Sequence, residues 1–222
     1  MIEKTISESL FENLCRLKNI KCISIETDPT KQTPDYDIFT DNQKIVVEIK
    51  EVELNEKEIK IKNSLKQKRR VAYWASTGVR VRNKIDSAHI QLRNRARGQH
   101  PSILILYDNT SGFANLDDDD FLIGMYGSEA CSIRIPYDPD NPFQQIDLKF
   151  GGKRRLTRTE KRYISALGRL NKGRNGRPLL TIYHNIFADI ALDPYVTSKL
   201  AARQLKIKGT EKFQEWEEII IT

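Results

Sequence analysis

The chain has 222 residues, 39% hydrophobic and 30% charged, enough for one domain with a real core and unlike a disordered or collagen-like composition. No apolar run approaches the roughly 20 residues of a membrane span, and the N-terminal stretch lacks the basic-then-apolar order of a signal peptide. The three cysteines, Cys15, Cys22 and Cys131, are too scattered for a disulfide framework or a zinc knuckle, so the expectation is a single soluble domain in the cytoplasm, with no membrane partner.

In chain order, apolar Ile6, Leu10, Phe11, Leu14 and Leu17 recur at helical spacing, predicting an amphipathic helix over 6–17 capped by Thr5 or Ser7. "KCISIE" (21–26) reads as a short strand, and a turn-rich loop then delivers Pro34 and Asp35. A hairpin follows, with "DYDIF" and "KIVVEIKEV" as strands across the turn "TDNQ". A charged helix over 55–70 and a second, basic-faced helix over 80–97 come next, then the continuous apolar run "SILILYDN" (102–109), a strand covered on both faces. The acidic run at 117–120 suits a helix start. Beyond it "FLIGMYG", "CSIRIPYD", "QQIDLKF" and "PLLTIYHN" read as further strands or short elements, and "GGKRRLTRTEKRYISALGRL" as a basic turn leading into a helix. The order is α/β: a central mixed sheet flanked by helices, with additional strands and helices toward the C-terminus. Residues 1–109 are expected to carry the core elements, and 110–222 to form a basic elaboration of the same domain.

The formal net charge of +7 is unevenly spread. Residues 1–58 hold 13 acids against 8 Lys or Arg, whereas 60–99 hold 12 Lys or Arg against Asp86 alone, and 149–177 hold 11 against Glu160 alone. Two nearly acid-free blocks suit a polyphosphate ligand, because each neutralised phosphate releases counterions. The candidate phosphate contacts are Lys68, Arg69, Arg70, Arg80, Arg82, Lys84, Arg93, Arg95, Arg97, Lys153, Arg154 and Arg155. Tyr73, Trp74 and Tyr163, set among them, read as packing residues. His89, His100 and His184 have no partner histidine at catalytic spacing.

Alternation places Val46, Glu48 and Lys50 on one face of the second hairpin strand, and a short hairpin brings Asp35 to Glu48. Two carboxylates with a backbone carbonyl suit hard Mg²⁺, and a lysine beside them can hold a phosphate oxygen or orient an attacking water. Asp37 lies on the same strand face as Asp35 and competes for the ligand role.

Pro34-Asp35 followed by Glu48-Ile49-Lys50 resembles the motif of the PD-(D/E)XK nuclease superfamily: Pro-Asp, a spacer, then an acid, any residue and lysine. The resemblance implies a restriction endonuclease-like core and Mg²⁺-dependent cleavage of nucleic acid, with Mn²⁺ able to substitute. Carried over by position, Asp35 and Glu48 are the metal ligands and Lys50 the catalytic lysine. A glutamate on the first helix is implied as well; Glu12 follows Phe11 as the pattern asks, and Glu8 sits one turn earlier on the same face. Gln91 stands where some members carry a glutamine on the following helix. By the same resemblance the expected enzyme is an endonuclease acting on DNA rather than RNA, in restriction, phage defence or repair, possible as a homodimer that cuts two strands. The alternative is a non-catalytic module of the same fold that binds nucleic acid or a partner.

Overall fold

The computed structural model describes residues 4–26, 32–40, 43–68, 70, 76–110, 115–134, 144–150, 152–173, 175–208 and 215–221, with backbone alone for 129–134 and 144–150. The chain opens with helix α1 (Ile6–Leu17), whose first turn is closed by a capping box: Thr5 accepts from the Glu8 amide while the Glu8 carboxylate returns to Thr5. Its apolar stripe, Phe11, Leu14 and Cys15, is buried on the sheet, as the helical spacing predicts.

Eight strands form one sheet: β1 (Lys21–Ser24), β2 (Tyr36–Thr40), β3 (Gln43–Val52), β4 (Ser102–Asp108), β7 (Ala166–Lys172), β8 (Pro178–His184), β9 (Arg203–Lys208) and β10 (Glu215–Glu218), in that spatial order. β5 (Glu129–Arg134) and β6 (Gln144–Phe150) pair apart from it as an antiparallel ribbon. β1, β2 and β3 run antiparallel, β3, β4 and β7 run parallel, β8 returns antiparallel, β9 is parallel to β8, and β10 closes antiparallel. The second half of the chain therefore supplies half of the central sheet.

Both faces are covered, which explains the unbroken apolar run of β4. α1 packs on the face formed by Ile38, Ile45, Val47, Ile103, Ile105 and Ile182. On the other face, helices α3 (Val79–Ala96) and α4 (Asp118–Tyr126) bury Val81, Ile85, Ala88, Leu92, Phe121 and Met125 against Val46, Leu104, Leu106 and Leu167. The remaining helices are α2 (Glu56–Lys66) and the single turn α5 (Pro194–Thr197). Among the described residues no helix is long and apolar enough to cross a membrane.

Three expectations are corrected. The run at 121–126 is helix α4, because Asp117 caps it through the Asp120 amide, and a short apolar run has no periodicity of its own to separate helix from strand. The "TRTEKRYISALGRL" segment is a turn followed by strand β7: the Thr157 hydroxyl accepts from the Thr159 and Glu160 amides, and Lys161 adopts φ 51°, which ends any helix there. The charged helix stops at Lys66 rather than near residue 70.

α3 and α4 meet through glycines. Gly78, the N-cap of α3, sits at φ +74°, and a Cβ built there would fall 2.7 Å from the Gly124 amide nitrogen. Gly78→Ala is expected to cost about 2–4 kcal/mol, combining a left-handed backbone penalty with overpacking, and to lower the urea midpoint accordingly.

Candidate active site

The β2–β3 hairpin is in the register that alternation predicts, with Tyr36 opposite Val47 and Asp37 opposite Val46, so Asp35 arrives opposite Glu48. Asp35 is fixed there because its Oδ2 accepts from the Ile49 amide at 2.6 Å. The next strand, β4, holds the other side of β3, with Glu48 level with Leu104 and Lys50 level with Leu106. Asp35, Glu48 and Lys50 thus gather near the carboxyl end of a parallel pair, the end of an open α/β sheet where ligands bind.

Glu48 is the unusual member. Its side chain is fully buried, and neither carboxylate oxygen receives a well-aligned hydrogen bond from the described residues. Lys50 Nζ approaches Oε1 to 2.5 Å, an ion pair with poor hydrogen-bond angles. Burial first, and the Asp35 charge second, push the Glu48 carboxyl up to about 7, against the opposing pull of Lys50. Burial likewise raises the Asp35 carboxyl, with Glu8 adding to the effect and the Ile49 amide and Lys50 opposing it. Burial outweighs what Lys50 supplies, and a buried carboxylate in that balance favours a further cation or a proton.

The two open choices separate physically. Asp37 is held by Lys44 at 3.0 Å and by the Arg95 guanidinium; burial pushes its carboxyl up, but these two partners outweigh it and hold it below the usual carboxylate range. It ties α3 to the hairpin. On α1, Glu12 is engaged by Lys4 at 2.8 Å and by the Tyr36 hydroxyl at 3.0 Å, whereas Glu8, besides capping the helix, is the glutamate whose charge reaches Asp35. Glu51, on the opposite face of β3, anchors the start of that helix by accepting from the Ser7 amide at 2.8 Å.

From α3, Lys84 lies close enough to Lys50 that burial, then the Lys50 charge, lower its pKa. Two turns on, the Gln91 Oε1 is buried without a hydrogen-bond partner among the described residues. Sequence spacing places Lys84 and Gln91 on one stripe, but only the fold turns that stripe toward Lys50.

The predicted phosphate contacts divide into two groups. Arg80 pairs with buried Glu58, Arg82 is buried with its Nη1 3.3 Å from the Ile123 carbonyl, Arg95 holds Asp37, and Arg155 holds Asp86 at 2.6 Å. These four fasten elements together. Lys68, Arg70, Arg93, Arg97 and Lys153 are exposed, Arg154 is half-buried, and Arg69, Tyr73 and Trp74 lie outside the described residues. The two basic blocks meet at Asp86, which holds both Arg155 and Lys161. Among the other residues singled out, Tyr163 packs against the α3-side core, and His184 is buried against Gln204.

Among the described residues, no group of three His, Cys, Asp or Glu has metal-ligand geometry. A Mg²⁺ site needs fewer protein ligands, since this ion keeps several waters and takes one or two carboxylates. A buried carboxylate whose counter-charge is one lysine, beside a second carboxylate, fits that requirement. No family model, no curated protein and no solved structure matches this chain.

Proposed function

We propose that the chain is a metal-dependent nuclease with a restriction endonuclease-like core, hydrolysing phosphodiester bonds in nucleic acid, DNA by the resemblance of its motif. The single observation that carries this reading is Glu48: fully buried, opposite Asp35, and with the Lys50 ammonium, 2.5 Å away, as its counter-charge. Asp35 and Glu48 are the residues that would hold Mg²⁺ or Mn²⁺, which when bound stabilises the charge developing on a phosphate and acidifies a coordinated water. Lys50 supplies a cation to a non-bridging phosphate oxygen or orients the attacking water. Lys84 adds a second positive charge on the same side, so a phosphate there meets two cations across one carboxylate pair. Exposed Arg93 and Arg97, at the end of α3, with Lys153 from the second block, attract the rest of the polyanion.

The test is cleavage of plasmid, linear duplex, single-stranded DNA and RNA in Mg²⁺, Mn²⁺ or EDTA, beside Asp35→Ala and Lys50→Ala. Cleavage is expected only with metal and in neither variant. Binding that survives EDTA with no cleavage of any substrate would instead assign the fold to a non-catalytic module.

A further inference from the structure

The carboxyl ends of β4 and β7 open on a second cleft, of about 410 Å³, lined by Tyr107, Asp108, Asn115, Arg169, Asn171 and Lys172. Parallel pairing fixes its place relative to Lys50. Lys50 is level with Leu106, and Leu106 is level with Arg169, so the arginine lies in the same row two strands over, about 10 Å away between Cα atoms. Both side chains point to the sheet face covered by α3 and α4.

Arg169 is held in position before any ligand arrives. Its Nη1 donates to the Leu116 carbonyl at 3.1 Å, its Nη2 pairs with Asp118 at 3.1 Å, and the guanidinium lies 5.9 Å from the centroid of the Tyr183 ring. Its Nε is buried without a hydrogen-bond partner among the described residues. Among the described lining residues the acid is Asp108, and its two carboxylate oxygens are already engaged, accepting from the Thr110 amide at 2.9 Å and the Leu116 amide at 2.8 Å. The other described polar residues of the lining are Asn115, Asn171 and the exposed Lys172, which makes no ion pair among the described residues. An arginine fixed in advance together with an exposed lysine is a pairing that recognises a phosphate.

We propose that this cleft seats a second phosphate of the same nucleic-acid strand, flanking the one beside Lys50. The inference rests on the nuclease reading and extends the bound strand across the carboxyl ends of β3, β4 and β7. Lys172 and Asn171 are its accessible contacts; Arg169 also fastens α4 to the sheet, so its replacement would confound binding with folding.

Binding is read by fluorescence anisotropy of labelled duplex and single-stranded DNA in EDTA, between about 50 and 200 mM salt. Lys172→Ala is expected to flatten the slope of log affinity against log salt by about 1, and Lys172→Glu to weaken binding about tenfold at the lower salt. Asn171→Ala should weaken it without changing the slope, since it removes a donor and no charge. Lys18→Glu, at the opposite end of the sheet, controls for net charge and is expected to change affinity less than about twofold. If the wild type binds and all three cleft variants match it, or Lys18→Glu weakens binding as much as Lys172→Glu, the cleft assignment falls while the nuclease reading stands. If the wild type neither binds nor cleaves any nucleic acid, the nuclease reading falls, and the proposed occupant with it.

Discussion

Glu48→Gln is expected to abolish metal-dependent cleavage, by about a hundredfold or more, and at the same time to stabilise the metal-free protein at neutral and alkaline pH. The second effect follows from burial. The carboxyl titrates near 4.5 when exposed and is pushed up to about 7 in the folded chain, so the native state holds its proton more tightly than the unfolded state does. That contribution to stability is complete below the exposed value and is lost as pH rises through the folded value. Above it the wild type carries a deficit of about 3 kcal/mol, which the neutral amide removes. Urea unfolding in EDTA checks this: the variant should exceed the wild type at pH 8 and approach it near pH 4.5. A variant no more stable than the wild type at pH 8 would mean that the Lys50 ammonium fully offsets the burial of Glu48, and would overturn its assignment as a cation ligand. Added Mg²⁺ should reverse the order, because only the wild type has the carboxylate to bind it.

The hairpin that carries this site was readable because period-two alternation and β-branched residues act locally, and a one-residue slip would turn every side chain of β3 to the wrong face. The same holds for α1, where spacing and the Thr5 cap agree, and for β4, whose apolar run is long enough to demand cover on both sides. What alternation cannot do is rank Asp35 against Asp37, since both share a face. The difference comes from Arg95, 58 residues further along the chain, which claims Asp37. Glu8 and Glu12 are alike in the same way: one helical turn separates them, and only the packing of Tyr36 and Lys4 engages the second. The basic blocks show the limit most clearly. Their counts are local facts, but which arginines remain available depends on distant acids such as Glu58 for Arg80 and Asp86 for Arg155. The acidic run at 117–120 does start a helix, but the apolar runs of β7 and of 121–126 do not show their conformation in the sequence, because they take it from a turn and a cap rather than from periodicity.

Asp35→Asn and Asp37→Asn should therefore separate chemistry from stability, although the two residues differ by a single amide substitution on one strand. In Asp35→Asn the side-chain oxygen still accepts from the Ile49 amide, so the hairpin entry is retained and unfolding should shift by less than about 1 kcal/mol. Cleavage should fall about a hundredfold or more, because a neutral amide beside Glu48 leaves only one charged ligand for the cation. Asp37→Asn removes the charge between Lys44 and Arg95, whose combined pull outweighs burial and holds this carboxyl below its usual range. The stability that pairing provides is present above the ordinary carboxylate pKa and is lost as pH falls through the lowered folded value, so the variant should be weaker by about 1–3 kcal/mol at pH 7 and nearly equal in acid. The partial exposure of Arg95 keeps the figure toward the lower end. Its cleavage rate, measured below its unfolding transition, should stay within a few-fold of wild type. Urea midpoints at two pH values and single-turnover rates on the same preparations decide the matter. Loss of cleavage in Asp37→Asn with retention in Asp35→Asn would transfer the ligand role to Asp37 and make Asp35 the residue that merely fixes the loop.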